Sequence, residues 1–235
     1  MTISLKIDKI SKSFKNNQIL KEINLEGKSS EIIGLIGPSG CGKSTLLKIL
    51  VGYYKPNSGS ILINNKKISK NIINLRKIVG YTTQENSFYE KLTIMENMRY
   101  YSNLYGIHYN QQTQIINNIL EKVELLRHKK TLTENISGGM KRRLDFAISL
   151  IHNPSILILD EPTTGLDPLL VDQFWNIVKN IMLKENKIVI ISSHIITEIE
   201  KYCTKVAIMK DGHIVKILNK NEIKSLEKKF RKITK

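Results

Sequence analysis

Gly37-Pro38-Ser39-Gly40-Cys41-Gly42-Lys43-Ser44-Thr45 sets Gly37 and Gly42 around four residues and follows them with Lys43 and Ser44. That is the spacing of a phosphate-binding loop. Upstream, the apolar run Glu31-Ile32-Ile33-Gly34-Leu35-Ile36 reads as a buried strand ending at the loop. Downstream, Leu46-Leu47-Lys48-Ile49-Leu50 reads as the helix that follows. Glycines let successive backbone N–H groups turn toward one anion, and the helix N-terminus adds the positive end of its dipole. Lys43 is then placed to reach the β- and γ-phosphates, and the Ser44 hydroxyl to ligate Mg²⁺. The stretch predicts a nucleoside triphosphate site.

At 235 residues, 41% of them hydrophobic, the chain is long enough for one large globular domain with a real core. No uninterrupted apolar run approaches the roughly 20 residues that cross a bilayer. Met1-Thr2-Ile3-Ser4-Leu5-Lys6-Ile7-Asp8 alternates like a strand and lacks a signal peptide's apolar centre. The expectation is a cytoplasmic protein that meets a membrane through a partner or its surface. Cys41 and Cys203 have no metal-ligand spacing and suit a reducing compartment. Lys and Arg number 37 against 21 Asp and Glu, a formal charge of +16. The excess is open to two readings. One is contact with nucleic acid or an anionic membrane face; the other is compositional drift in a chain rich in Ile and Asn.

Ser4 to Asp8 and Ile19 to Leu25 read as strands before the loop. After it, the turn cluster Lys55-Pro56-Asn57-Ser58-Gly59 leads into a strand at Ser60-Ile61-Leu62-Ile63, whose partner follows the turn Asn64-Asn65. Ile78 to Thr82 is another short strand. From Thr93 to His152 the pattern turns helical. Thr93-Ile94-Met95-Glu96 has the form of a capping box, and Gln114 to Leu126 carries a helical stripe of apolar residues. Ile156 to Leu159 and Lys187 to Ile191 read as central parallel strands, with a crossover helix over Leu169 to Leu183 between them. Asp211-Gly212 between two apolar runs signals a hairpin. The whole predicts an α/β nucleotide core with a helical insertion.

Two further stretches carry chemistry. Asp160-Glu161 ends the run Ile156-Leu157-Ile158-Leu159, at the strand end where α/β sheets bind ligands. Asp160 is placed to hold Mg²⁺ opposite Ser44, and Glu161 to accept a proton from, or orient, an attacking water. In Asn135-Ile136-Ser137-Gly138-Gly139-Met140-Lys141-Arg142-Arg143, Ser137 is a good helix N-cap, and Gly138 and Gly139 open the backbone to an anion. Ile136-Ser137-Gly138-Gly139-Met140 resembles the Leu-Ser-Gly-Gly-Gln signature of the ABC ATPase family, the nucleotide-binding subunits of ABC transporters. The resemblance covers nearly the whole chain, with the motifs in the right order.

The resemblance implies an α/β fold: a P-loop NTPase core with a mainly parallel sheet, an antiparallel β subdomain and an inserted α-helical subdomain at about 86–154, in a single domain spanning 1–235. It implies that Gln84 senses Mg²⁺ and the water, that His194 contacts the γ-phosphate, and that Phe14 stacks on adenine. It also places Asp167 of Gly165-Leu166-Asp167-Pro168 across a dimer interface. The implied cofactors are ATP and Mg²⁺. Four positions depart from the family pattern: Met140 for Gln, Ile136 for Leu, Gly165 for Ser or Ala, and Phe14 for Tyr. None removes a group the chemistry needs. Met140 with Lys141-Arg142-Arg143 looks most like exporter-type ATPases that pair with a separate membrane permease.

By the same resemblance, one site is built from two chains set head to tail, the loop of one facing Ser137, Gly138 and Gly139 of the other. The partners implied are a permease subunit and a second ATPase subunit, with no nucleic acid and a place on the inner face of the membrane. The alternative is an ABC ATPase that works in translation, DNA maintenance or cofactor assembly. Two smaller features stay open. Cys41, beside Lys43 and a helix start, is either a reactive thiol or a small residue chosen to fit. Lys224 to Lys232 is either a basic helix leaning on anionic lipid or a solvated terminal helix.

Overall fold

The computed structural model describes residues 3–68 and 72–234. In chain order the elements are β1 (Ser4–Phe14), β2 (Asn17–Lys28), β3 (Ile32–Ile36), α1 (Lys43–Leu50), β4 (Ser58–Ile63), β5 (Lys66–Lys67), α2 (Ile72–Ile78) and β6 (Val79–Thr82). Then follow α3 (Ile94–Leu104), α4 (Tyr109–Lys122), α5 (Gly138–Leu150), β7 (Ile156–Asp160), α6 (Pro168–Glu185), β8 (Ile188–Ser192), α7 (Ile196–Tyr202), β9 (Lys205–Lys210), β10 (His213–Asn219) and α8 (Leu226–Thr234).

The strands form two sheets. A six-stranded sheet has the order β10-β9-β3-β8-β7-β6, parallel throughout except for the β10 edge. A four-stranded antiparallel sheet has the order β2-β1-β4-β5. The central strands are apolar at nearly every position because both faces of the large sheet are covered. Side chains alternate between two cores with the strand period of two. Ile32 and Ile36, Leu157 and Leu159, and Val189 and Ile191 enter one core; Ile33 and Leu35, Ile156 and Ile158, and Ile188 and Ile190 enter the other. The first core is completed by helices, among them α4 through Leu120, α5 through Phe146 and α6 through Trp175. The second is completed by α1 through Leu46 and Leu47 and by the antiparallel sheet through Ile7 and Leu20. Each such side chain contributes about 1.5–3 kcal/mol on leaving water, which outweighs differences in local propensity of a few tenths.

Local signals set several boundaries. The capping box is present: the Glu96 amide donates to Thr93 Oγ1 at 3.2 Å, and the Thr93 amide donates to Glu96 Oε2 at 2.7 Å. Asp211 and Gly212 take φ of 50° and 82°, the left-handed pair a tight hairpin turn requires. The helix expected over Gln114 to Leu126 instead spans Tyr109–Lys122, because Glu124 adopts a φ of 58° and stops it; Leu126 falls in a short 3₁₀ turn. The crossover helix extends to Glu185 and ends where Asn186 takes a φ of 52°. Lys187, expected in a strand, precedes β8, with its ammonium buried against Asn153 Oδ1 at 2.9 Å and Glu185 Oε2 at 3.1 Å.

The terminal helix α8, open above to a lipid-leaning or a solvated reading, packs on the protein. Leu226 is fully buried, and Phe230 and Ile233 pack against the first core. The Glu200 carboxylate accepts hydrogen bonds from the Ser225 and Leu226 amides at 2.9 and 3.2 Å, fastening the helix start to α7. The apolar face that a lipid-binding helix needs is already engaged.

Candidate nucleotide site

Residues 37–42 join β3 to α1, as the apolar run and the glycines predict. Gly42 is the N-cap of α1 with a φ of 106°, so Lys43, Ser44 and Thr45 form the first helical turn. The Lys43 ammonium donates to the Gly37 carbonyl at 2.7 Å and the Pro38 carbonyl at 3.1 Å, which holds it across the loop. A Cβ on Gly37 would lie 2.4 Å from the Met209 carbonyl oxygen and 2.6 Å from Cys41 Sγ, so that glycine is a matter of room. Cys41 itself is 6% exposed and packs in the second core. Its thiol fills space under the loop beside Gly37.

A cavity of about 770 Å³ is lined by Ser44, Tyr81, Gln84, Tyr101, Tyr105 and Asp160. It brings together the three oxygen-bearing residues expected at the metal. A second cavity, about 320 Å³, runs along Pro38, Ser39, Gly40 and Cys41 and is closed by Asn17 and Asp211. Asp160 is 8% exposed. Its Oδ2 accepts a hydrogen bond from the Tyr81 hydroxyl at 3.2 Å, and its Oδ1 accepts one from the Ser192 hydroxyl. Burial, and then the Asp160 charge, push the Tyr81 phenol well above its ordinary value, so it acts only as a donor.

Glu161 follows with a φ of 51°. A left-handed non-glycine residue costs about 1–2 kcal/mol, and such strain gathers at functional sites. The turn points its carboxylate at His194: Oε2 lies 2.5 Å from the His194 Nδ1 and accepts from the Thr164 hydroxyl at 3.1 Å. The Glu161 amide donates to the Ser192 carbonyl at 3.1 Å and to the Ser192 hydroxyl at 3.2 Å. Ser192, Tyr81 and Thr164 are therefore part of the site, though nothing in the local sequence names them. The available signal is a polar residue closing an otherwise apolar strand.

Like Lys43, Glu161 and His194, three further sequence-predicted groups do not line these two cavities. Ser137 and Gly138 are exposed at the start of α5, where the Ser137 hydroxyl accepts from the Met140 amide at 3.3 Å; Gly139 packs against Leu170. Phe14, 39% exposed, meets Tyr54 edge to face at 5.0 Å between ring centres, and the Lys12 ammonium lies 5.0 Å from its own ring. Asp167 caps α6 by accepting from the Leu170 amide at 3.0 Å.

A phosphate-binding loop, an Asp-Glu strand end and a Ser-Gly-Gly helix start on this two-sheet fold define an ABC-type ATPase. The ABC transporter family pattern matches residues 20–164, more than half the chain, and the chain belongs to that family. It is 32% identical over 230 residues to the bacitracin transport ATP-binding protein BcrA of Bacillus licheniformis, covering 98% of this chain and 74% of that one. The solved structure of cbiO1 from Clostridium perfringens, described as part of the ABC transporter complex cbiONQ, matches with a TM-score of 0.88 at 29% identity over 97% of this chain and 93% of that one. The ATP-binding cassette MJ0796, solved as a dimer in a post-hydrolysis state with ADP and Pi, matches with a TM-score of 0.79 at 25% identity over 92% and 98%. The protein is the ATP-binding subunit of an ABC transporter and an ATP hydrolase.

Proposed function

We propose that this subunit drives export through a separate permease, as one of two ATPase subunits set head to tail. Residues 1–235 act as one nucleotide-binding domain, with 86–154 as a helical arm that docks on the permease at the inner membrane face. The observation that carries the catalytic part of this reading is the strained Glu161, aimed at His194 beside the Ser44–Gln84–Asp160 cavity. Residues 37–45 cradle the phosphates of ATP, and Phe14 supplies the face for adenine. Glu161 takes a proton from the attacking water, and His194 orients Glu161 and meets the γ-phosphate. The exposure of Ser137 and Gly138, apart from both cavities, supports their service to a partner subunit's nucleotide. The dimeric relative supports the same arrangement.

Magnesium fits this donor set. Among the described residues no group of three or more His, Cys, Asp or Glu side chains gathers to hold a metal, and Mg²⁺ characteristically binds through one or two carboxylates plus phosphate oxygens. Ser44, Gln84 and Asp160 would hold it, and when bound it offsets charge on the β- and γ-phosphate oxygens. Among the described residues no helix is long and apolar enough to cross a membrane. The bacitracin-transport relative supports transport over work in translation or DNA maintenance.

Glu161→Gln tests the reading. Loss of a general base lowers turnover by about 10²–10⁴, while the shape and the ATP contacts remain. The expected result is ATP binding near wild type, turnover down at least a hundredfold, and a dimer with ATP by light scattering. A variant that stays monomeric with ATP and still hydrolyses it refutes both the base and the sandwich. Export itself is tested by ATP-driven substrate uptake into inverted vesicles that hold the subunit with its co-purified permease.

A further inference from the structure

The segment that carries Gln84 is fastened from one side only. Arg142 Nη1 donates to the Gln84 carbonyl at 2.9 Å and to the Thr83 carbonyl at 3.4 Å. One turn further along α5, Asp145 Oδ1 accepts from the Ser87 amide at 2.8 Å and from the Ser87 hydroxyl at 2.6 Å. The Tyr101 hydroxyl of α3 donates to the Ser87 carbonyl. Apart from a bond between Thr83 and Glu85, the hydrogen bonds of 83–87 among the described residues all run to α3 and α5; none runs to β3 or α1. Residues 142 and 145 lie three apart and so share a helix face.

Asp145 is 1% exposed, and among the described residues its Oδ2 has no hydrogen-bond partner. Burial raises its carboxyl above the usual range, while the two Ser87 bonds and the Arg142 charge oppose the shift. A buried carboxylate oxygen left unmatched costs stability. Here the other oxygen holds the loop. Arg142 is five residues beyond Ser137, about 7.5 Å along the helix axis at 1.5 Å per residue. The helix that presents Ser137 and Gly138 to a partner is thus the one that grips the Gln84 segment.

We propose that Arg142 and Asp145 are positioning residues that lock the segment carrying Gln84 to α5, and so set where Gln84 stands at the Ser44–Asp160 corner. The inference rests on Gln84 standing at the metal, as proposed above.

The test uses the full chain in the Glu161→Gln background, where binding is read without turnover. A fluorescent ATP analogue gives the gain in nucleotide affinity on adding Mg²⁺ for Gln84→Ala, Arg142→Ala, Arg142→Lys and the Gln84→Ala/Arg142→Ala double variant. Outer partners of a metal site typically change metal affinity by about 10- to 100-fold. The gain should shrink about tenfold in each alanine variant, shrink no further in the double, and recover partly in Arg142→Lys, which keeps a donor. Hydrogen exchange of 83–87, measured without metal, should quicken at least about tenfold in Arg142→Ala with an unchanged β-sheet core. The proposal is overturned if Arg142→Ala leaves the Mg²⁺ gain intact while Gln84→Ala reduces it, if the two losses multiply, or if exchange in 83–87 is unaltered. A Gln84→Ala variant with a normal gain instead removes the metal role of Gln84, and the inference falls with it.

Discussion

Two glycines of the loop are present for different reasons, and alanine separates them. A methyl group on Gly37 would sit 2.4 Å from the Met209 carbonyl oxygen, a backbone atom of β9 inside the six-stranded sheet, and 2.6 Å from Cys41 Sγ, which is itself buried. Carbon and oxygen need about 3.3 Å even in close C–H···O contacts, so the loop must retreat by roughly an ångström. Overpacking of that kind costs about 1–3 kcal/mol, and it lifts the very backbone whose N–H groups are proposed to face the phosphates. Gly40 has a φ of 77°, and a methyl group there would meet nothing within 4 Å. Its alanine variant bears only the left-handed strain, about 1–2 kcal/mol. At 1.4 kcal/mol per tenfold, Gly40→Ala weakens ATP binding by no more than about thirtyfold if all the strain is felt on binding. Gly37→Ala adds lost phosphate donors to a similar strain and falls by well over a hundredfold. Equilibrium nucleotide binding by calorimetry measures both, with thermal unfolding to confirm folded protein. Gly37→Ala binding ATP as tightly as Gly40→Ala would show that the loop yields freely, and the packing argument would be wrong.

Two other outcomes follow from contacts away from the loop. Thr93→Ala removes one half of the capping box at the start of α3, which costs about 1 kcal/mol. That lowers the melting temperature by about 2–4 °C in a chain of this size, with ATP affinity unchanged; no shift would mean that α3 starts elsewhere. The His152 imidazole is stacked on Tyr105 at 4.0 Å with Nε2 on the Val79 carbonyl at 3.1 Å. Burial lowers its pKa below 6.5, opposed by the Val79 bond and assisted by Lys187. The unfolded chain then takes up a proton that the native chain refuses, so stability is full above the ordinary value and lost as pH falls below it. His152→Gln should lessen the fall in melting temperature between about pH 7 and about pH 5; an unaltered slope assigns the acid sensitivity to other groups.

How much of the fold and site is legible in the sequence depends on the range of the contact. The phosphate loop, the Thr93 box, the Ser137 cap and the Asp211-Gly212 turn are each decided within a few residues, and the structure has all four. The stop of α4 is not legible, because Glu124 gives no local warning of a left-handed φ. Neither is the burial of Cys41 or of the α8 apolar face, because each depends on which distant elements arrive to cover it. The partners of Asp160 belong to this class. Tyr81 is 79 residues away and Ser192 is 32 away, and only the strand order makes them neighbours.

That order also explains why motifs so far apart in the chain serve one site. The loop leaves the end of β3, Gln84 follows β6, Asp160 ends β7 and Ser192 ends β8. In the sheet β8 lies between β3 and β7, so the loop and Asp160 stand two strands apart, about 10 Å at the usual strand spacing. A direct neighbour would put Lys43 and Ser44 hard against Asp160, with no space for phosphate oxygens between them. β8 fills the interval below with a strand, and at its end it has only the small Ser192 and Ser193 before His194. Small side chains there leave the crevice open above the strand, and the Ser192 hydroxyl uses its position to hold Asp160 and the Glu161 amide together. The strand between the two motifs is therefore both the spacer that sets the width of the proposed phosphate site and the anchor that aims its acids.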